Sequence, residues 1–220
     1  MSIKEIYIIG SSGNASVVTE LIEQLNDYKI IGFIDDFKEK NQDFLDYKII
    51  GNIDYLIAIS KTKKIHVVIA IGDSNSRESI VNKLRDENII YPIIIHPSAQ
   101  VSKRAKIGEG SIIFANSIIG CNAILGKHCL VNHASCIDHD VEIQNYVTLC
   151  PNVFIAGNVT VGNNTIIGLG TTIIEKIKIG KKVYIGAGSC VISNQKDNSL
   201  IFGCPAKYIR DNNKDDSFFK

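Results

Sequence analysis

Residues 101–191 read VSKRAKIGEGSIIFANSIIGCNAILGKHCLVNHASCIDHDVEIQNYVTLCPNVFIAGNVTVGNNTIIGLGTTIIEKIKIGKKVYIGAGSCV. Every sixth residue from Val101 to Val191 is Ile, Leu or Val, sixteen positions in succession, and the next step reaches Asp197. A period of six fits neither the 3.6-residue period of a helix nor the two-residue alternation of a strand. It is typical of a parallel β-helix, in which short strands meet at corners and an inward residue recurs on every side.

Two further positions of the six-residue repeat have a restricted composition. The residue two places before each aliphatic one is small or β-branched from position 105 to position 171, and glycine often follows the aliphatic residue, as at Gly108 and Gly162. We expect the small residues to allow tight stacking of the coils, and Gly or Asn to accept the unusual backbone angles of the corners. Each coil buries its face only against its neighbours, so the ends of the stack need caps.

Residues 1–96 have a different pattern, in which short apolar runs alternate with amphipathic segments. Strands that alternate with helices indicate a small parallel α/β sheet. The pattern predicts strands at residues 6–9, 30–34, 67–71 and 91–95, a hairpin or edge segment at 48–51, and helices after Gly13, at 54–60 and around 80–84. With a boundary at His96-Pro97, the predicted domains are 1–96, 97–196 and a C-terminal cap and tail, 197–220.

The strand ends of this front domain carry the candidate binding residues, because ligands of a parallel sheet bind beyond the carboxyl ends of its strands. Free N–H groups at the start of a helix suit a phosphate, and a carboxylate about 20 residues further along suits a ribose. A turn without a ligand is an equal alternative for the Gly-x-x-Gly motif alone. A nucleoside diphosphate is favoured over a dinucleotide, since the third glycine of G-x-G-x-x-G is absent. The candidates are Ser12, Gly13, Asn14, Asp35, Asp36 and Gly72.

His139 is the candidate for catalysis in the repeat region. It lies two residues after an inward position, and Gly157 follows it by eighteen residues. A histidine above a backbone without a side chain leaves room for a reacting group between a base and an N–H donor, which acyl transfer needs. Asp140 or Asp138 could fix the imidazole tautomer. The spacing alone leaves a solvated corner histidine as the alternative.

Metal ligation is a competing interpretation of the histidines. The spacing of His128 and His133 is similar to that of the γ-class carbonic anhydrases, whose β-helix binds zinc. Pro92 and Pro97 stand where the earlier histidine of that family would fall, 36 residues before. We therefore expect no metal, and we expect His128 to lie on the surface.

Composition excludes several classes of protein. The net charge is +1 and neither sign is clustered, so neither nucleic acid nor a membrane is an expected partner. The six cysteines form no C-x-x-C pair, and we expect them to be structural. The sequence lacks a signal-peptide pattern and an apolar run of 18 residues, which predicts a cytoplasmic protein.

Several motifs together resemble the bacterial nucleotide-sugar N-acetyltransferases, which are close relatives of the sialic acid O-acetyltransferase-like proteins. The resemblance implies a Rossmann-like front domain, a left-handed β-helix with eighteen residues per coil, and a homotrimer with active sites between subunits. In chain order the motifs are residues 6–13, 33–36, 70–72, 95–99, 132–140, 156–159 and 203–207.

The resemblance also implies the reaction. Acetyl-CoA would acetylate the 4-amino group of a nucleotide-linked 4-amino-4,6-dideoxy sugar, for the synthesis of a surface glycan or glycoprotein. His139 would be the general base, supported by Asp140, and the Gly157 N–H would face the thioester oxygen. Leu169 and Ala187 fall where backbone atoms contact the pantetheine arm.

Two residues depart from the family pattern. Thr148 stands where many members have a histidine near the thioester, and Asn14 stands where a histidine often follows the glycine of the nucleotide-sugar site. An O-acetyltransferase that acts on sialic acid or another sugar is an alternative, because the fold and the base would be the same. A zinc enzyme or a non-catalytic scaffold is a more distant one. The sequence does not identify the nucleotide (UDP, GDP or dTDP) or the sugar stereochemistry.

Overall fold

The computed structural model describes residues 3–212. The chain divides into two compact units, Met1–Gly72 with Ser76–Ile94, and Asp73–Asn75 with Ile95–Lys220. Within the described residues, every helix is too short or too polar to cross a membrane.

The first unit is an α/β sheet in the strand order β3-β4-β2-β1-β5-β6. The neighbours are parallel except in the β3–β4 hairpin. The central strand β1 is buried from Ile6 to Ile9, as expected for a strand with sheet neighbours on both sides. The elements are β1 (Lys4–Ile9), α1 (Gly13–Glu23), β2 (Tyr28–Ile34), β3 (Asp43–Phe44), β4 (Tyr47–Gly51), α2 (Ile53–Ser60), β5 (Ile65–Ile69), α3 (Ser74–Lys83) and β6 (Ile89–Ile90).

The strand predicted at residues 91–95 is wrong. The chain leaves β6 at Ile90, passes Pro92, and starts β7 at Ile94 in a different sheet. Proline has no N–H to donate to a ladder, so the apolar run is broken into two short strands.

The second unit is a parallel β-helix, as the six-residue period predicts. Its three faces, called here faces 1, 2 and 3, are visited in turn by successive two-residue strands. Face 1 holds β7 (Ile94–Ile95), β10 (Ile112–Ile113), β13 (Leu130–Val131), β16 (Thr148–Leu149), β19 (Ile166–Ile167) and β22 (Tyr184–Ile185). Face 2 holds β8 (Gln100–Val101), β11 (Ile118–Ile119), β14 (Cys136–Ile137), β17 (Phe154–Ile155), β20 (Thr172–Ile173) and β23 (Cys190–Val191). Face 3 holds β9 (Lys106–Ile107), β12 (Ile124–Leu125), β15 (Glu142–Ile143), β18 (Thr160–Val161) and β21 (Lys178–Ile179).

From β8 to β23 the register between coils is eighteen residues on every face. Ile119 pairs with Ile137, Ile137 with Ile155 and Ile155 with Ile173. Residues eighteen apart therefore stack in columns along the helix axis. This register decides which side chains of the second unit become neighbours.

The sixteen aliphatic residues of the repeat point inward. From Ile113 onward they are at most 3% exposed, and they form one core with the small residues two places before them. Val101 and Ile107, in the first coil, are partly buried and pack against the same core.

At the corners, the residues with a positive φ are not the ones that we expected from the sequence. The glycine after each aliphatic residue does not have a positive φ; a Cβ at Gly108 would lie 2.5 Å from the Gly126 carbonyl carbon in the next coil. Close stacking, and not φ, therefore excludes a side chain there. Positive φ falls two residues later and recurs every six residues from Gly110 to Gly188, mostly at Asn and Gly. Asp140, with φ +56°, belongs to this regular series.

The prediction of a surface position for His128 is also wrong. The residue is 2% exposed, and its ring stacks on Tyr146, with centroids 5.5 Å apart and planes inclined by 5°. A Cβ at Gly110, eighteen residues earlier, would lie 2.2 Å from His128 Nδ1. The absent side chain at Gly110 leaves the space that the imidazole fills.

A hairpin of β24 (Ser199–Gly203) and β25 (Ala206–Asp211) closes the end of face 1. Ile201 and Ala206 join the β-helix core, so the hairpin covers the last coil. The hairpin lies within the predicted C-terminal cap and tail, 197–220, of which residues 213–220 lie outside the described part of the chain.

Inward and outward residues of one strand should differ in their effect on stability. Ile143 is 3% exposed in the core and Glu142 is exposed beside it. We expect Ile143→Ala to lower the free energy of unfolding by about 2–5 kcal/mol, because it leaves a cavity between coils. The control Glu142→Ala should change it by less than about 0.5 kcal/mol. Urea titration measures both, and equal effects would contradict the inward assignment.

Candidate active site

The first unit contains a cavity of about 420 Å³ at the carboxyl ends of β1 and β2. Three of the predicted nucleotide-site residues, Ser12, Asp35 and Asp36, line it. The other lining residues are mostly apolar, which suits the flat faces of a base or sugar. They are Ile9, Gly10, Ser11, Ile34, Phe37, Lys38, Ile53, Ile71 and Ile80.

The two carboxylates at the end of β2 are held in place by different partners. Asp35 accepts a 2.5 Å hydrogen bond from Ser11 Oγ and a 2.9 Å bond from the Phe37 N–H. Asp36 accepts from the Ile53 N–H at 2.8 Å, at the start of α2. Each carboxylate keeps lone pairs for further donors, so both can still accept from a bound ligand.

The start of α1 offers backbone N–H groups. Ser12 is the N-cap residue, but its side chain makes no capping hydrogen bond, and the first turn holds no acidic residue. An uncapped helix N-terminus favours an anion. In the same turn, Asn14 Nδ2 is buried and has no hydrogen-bond partner among the described residues. Gly13 has open space where its Cβ would be.

Three residues that the sequence interpretation missed support this region. Ser11 and Lys38 are linked, because Lys38 Nζ donates to the Ser11 carbonyl. The buried Arg77 donates to the carbonyls of Ile71, at 3.0 Å, and Gly72, at 2.7 Å. Ser11 lies in the loop after β1 that the strand-end rule indicates, whereas that rule gives no signal for Lys38 and Arg77, which reach the strand ends from other segments.

His139 lies at the corner between face 2 and face 3, called here the histidine corner. The eighteen-residue register stacks four residues there in one column: Cys121, His139, Gly157 and Glu175. The Asn158 N–H donates to the His139 carbonyl at 3.1 Å, which holds adjacent coils together at this point. The imidazole is exposed to solvent at 53%.

The imidazole of His139 is oriented by two neighbours. Its Nδ1 lies 2.9 Å from Asp140 Oδ2, and Asn122 Nδ2 donates to the other oxygen of Asp140 at 3.0 Å. Asp138 instead accepts from the His139 backbone N–H at 2.7 Å. The structure therefore selects Asp140 over Asp138 as the residue that orients the ring. Asn122 lies eighteen residues before Asp140, so the register alone could have identified it.

The pKa values of this pair move in opposite directions. The hydrogen bond with Asp140 raises the pKa of His139 above its usual value, and the charge of Asp138 adds to the effect. The bond from His139, followed by that from Asn122, lowers the pKa of Asp140. With Nδ1–H bonded to a carboxylate, Nε2 is the nitrogen that can accept a proton from a ligand.

Gly157 lies directly beneath the imidazole. A Cβ at Gly157 would be 2.6 Å from His139 Cε1 and 2.7 Å from Nε2, so the ring takes up the space of the missing side chain. No described residue accepts a hydrogen bond from the Gly157 N–H. An imidazole nitrogen and a free backbone N–H thus lie side by side, which is the arrangement that acyl transfer uses.

The other predicted acetyl-CoA residues lie elsewhere on the chain. Leu169 and Ala187 stack on successive coils at the corner between face 1 and face 2, called here the leucine corner, where the Gly188 N–H donates to the Leu169 carbonyl at 2.7 Å. A Cβ at Gly170 or Gly188 would meet open space beside them. Thr148 is 1% exposed on face 1, so its contact with acetyl-CoA stays a prediction.

Within the described residues, no group of three or more His, Cys, Asp or Glu side chains could hold a metal ion. His128 is buried against Tyr146, and the His133 ring lies 5.2 Å from that of Phe114. The two histidines of the carbonic-anhydrase interpretation are thus both in contact with aromatic side chains.

Comparison with known proteins links this geometry to a family. Residues 5–84 match the PglD N-terminal domain family. The crystal structure of a histidine-to-alanine variant of GDP-perosamine N-acetyltransferase from Caulobacter crescentus, with CoA and GDP-perosamine, has a TM-score of 0.89 and 28% identity. The match covers 96% of this chain and 99% of that one. This chain is therefore similar to the hexapeptide-repeat nucleotide-sugar N-acetyltransferases.

Two more relatives agree with the family. The acetyltransferase domain of PglB from Neisseria gonorrhoeae, in complex with acetyl coenzyme A, has a TM-score of 0.88 and 28% identity, over 94% of this chain and 100% of that one. UDP-N-acetylbacillosamine N-acetyltransferase of Bacillus subtilis is 34% identical over 117 residues. That alignment spans 51% of this chain and 52% of the length of the Bacillus enzyme. The α/β domain followed by a left-handed β-helix, as in these relatives, is confirmed as the fold, and the homotrimer stays a prediction.

Removing the carboxylate beside His139 should lower the pKa of its imidazole. In Asp140→Asn the ring loses the charged acceptor that stabilises its protonated form, so the pKa should move down toward its usual value. NMR titration of the imidazole Cε1–H signal measures the shift. Asp54→Asn, in the first unit, is the control and should leave it unchanged. An unaltered pKa in Asp140→Asn would remove Asp140 from the site.

Proposed function

We propose that this chain transfers the acetyl group of acetyl-CoA to the 4-amino group of a nucleotide-linked 4-amino-4,6-dideoxy sugar, for the synthesis of a surface glycan or glycoprotein. The observation that carries the proposal is the His139 imidazole, oriented by Asp140 and lying over the free N–H of Gly157. The relatives that bind CoA and act on nucleotide-linked amino sugars, according to their names, support it.

In the proposed reaction, His139 Nε2 takes a proton from the ammonium group of the sugar. The freed nitrogen attacks the thioester carbonyl, and the Gly157 N–H donates to the oxygen that gains negative charge. The carbon–sulfur bond then breaks, the proton held by His139 neutralises the CoA thiolate, and the acylated nitrogen loses its second proton to solvent. The products are the N-acetylated sugar and CoA. Because the base must be neutral, the rate should rise as the pH passes the raised pKa of His139.

The first unit would hold the nucleotide part of the acceptor. The uncapped start of α1 suits the diphosphate. The buried Asn14 Nδ2 has no acceptor among the described residues and can donate to the ligand. Asp35 and Asp36, at the end of β2, suit the hydroxyl and N–H donors of the ribose and base. Asn14 would thus replace the histidine of other family members with an amide donor.

Acetyl-CoA would lie between two copies of the chain in a homotrimer. Within one chain the leucine corner and the histidine corner are separated by face 2, so Leu169 and Gly157 do not share a groove. Face 2 exposes large apolar side chains, with Ile118 at 42% and Phe154 at 47%. Contiguous apolar residues of this kind favour burial against a second copy. Such contact would bring the leucine corner of one copy to the histidine corner of the next.

A cytoplasmic location completes the proposal. The six cysteines are all free, which suits a reducing compartment. Cys121, which lies in the same column as His139 and one coil earlier, is exposed.

An assay of CoA release tests the function. The purified chain is mixed with acetyl-CoA and a panel of UDP-, GDP- and dTDP-linked 4-amino-6-deoxy sugars. We expect release with one member of the panel, and we expect His139→Ala to lower kcat by about 10²–10⁴-fold while acetyl-CoA still binds. His66→Ala, in the first unit, is the matched control and should stay active. If no member of the panel causes CoA release and free sialic acid does, the chain would be assigned to the O-acetyltransferases instead.

A further inference from the structure

The column at the histidine corner continues past Gly157 to Glu175. The Lys176 N–H donates to the Gly157 carbonyl at 3.0 Å, just as the Asn158 N–H donates to the His139 carbonyl one coil earlier. Neighbouring strands lie about 4.8 Å apart, so the backbones of His139 and Glu175 are about 10 Å apart. Only a glycine separates them in the column.

The space over Gly157 is therefore bounded by two functional groups. The imidazole of His139 leans over Gly157, toward the next coil, because a Cβ at Gly157 would lie within 2.6 Å of the ring. Glu175 is the residue of that coil in the same column, and its charge is the smallest of the effects that raise the pKa of His139. A ligand atom that contacts the imidazole on the side of the next coil would therefore lie between the imidazole and the coil that carries the carboxylate of Glu175.

Glu175 differs from Asp138 and Asp140, the other two carboxylates of this corner, in the partners that it binds. Asp140 accepts from His139 and Asn122, and Asp138 accepts from the His139 N–H. Within residues 3–212, Glu175 pairs with Lys176, whose Nζ lies 3.7 Å away, and both side chains are at least 70% exposed. Exposed pairs at such a distance contribute little, so the carboxylate can exchange Lys176 for another cation.

An amine acceptor supplies such a cation. Amino groups near electron-withdrawing neighbours have pKa values of about 7.7–8.0, so most of the acceptor arrives as an ammonium ion at neutral pH. A hydroxyl acceptor carries no charge. A carboxylate opposite the base therefore attracts an amine more strongly than it attracts a hydroxyl.

We propose that Glu175 is a positioning residue that holds the ammonium group of the acceptor against the imidazole of His139, from the side of the next coil, and thereby selects amines over hydroxyls. The inference rests on the proposed function and deepens it, because it assigns the preference for an amino sugar to one side chain. Glu175 takes no proton and makes no bond in the reaction; His139 remains the base.

The test compares Glu175→Gln with the wild type on two ligands of one nucleotide: the 4-amino sugar as substrate and its 4-hydroxy analogue as a competitive inhibitor. The substitution keeps the shape and removes the charge. We expect kcat/KM for the amino sugar to fall about three- to tenfold, mainly through KM, as for the loss of one exposed charge interaction. The KM for acetyl-CoA and the inhibition constant of the hydroxy analogue should not change.

Two further variants separate charge from structure. Glu175→Asp keeps the charge and should recover part of the lost kcat/KM. Glu142→Gln removes an exposed carboxylate on face 3 and should behave as the wild type. Equal losses for both ligands, or no loss in Glu175→Gln, would overturn the role of Glu175 while the enzyme activity stands. A wild type that does not acetylate any amino sugar would overturn the proposed function, and this inference with it.

Discussion

The hydrogen bonds between successive coils hold the second unit together and also build its site. Each short strand pairs with the strands eighteen residues before and after it, so one register is repeated on three faces. A shift of one residue would expose the inward aliphatic residues, and a coil cannot move alone because its neighbours bury its core. The positions of His139, Gly157 and Glu175 in one column follow from the same constraint. Stability and site geometry thus share one cause.

Glycine has two separate functions in this architecture. At Gly108 it allows one coil to approach the backbone of the next, whereas at Gly157 it gives way to an imidazole from the previous coil. Gly110 does the same for His128, which is buried and stacked on Tyr146. A histidine over a glycine is therefore not in itself a sign of catalysis. His139 differs because its ring is exposed, bonded to a carboxylate, and next to an unused N–H.

The sequence predicted the β-helix, its inward residues and the pairing of His139 with Gly157, because a fixed period turns spacing into contact. It predicted less well where a contact does not follow the period. Pro92 broke a predicted strand, and the burial of His128 depends on the ring of Tyr146 as well as on Gly110. In the first unit, Arg77 and Lys38 reach the strand ends from other segments, and no repeat relates them to Gly72 or Ser11. The contact between Asn122 and Asp140, by contrast, does follow the eighteen-residue period, so it could have been predicted from the sequence.

The proposed reaction depends most on where the thioester lies relative to Gly157, and a crystal structure of the chain with acetyl-CoA measures this directly. We predict a thioester oxygen about 3 Å from the Gly157 N–H of one copy. We also predict that the pantetheine arm of the same molecule runs along Leu169 and Ala187 of a second copy in a trimer. A thioester bound away from Gly157, or bound entirely by one copy, would contradict it.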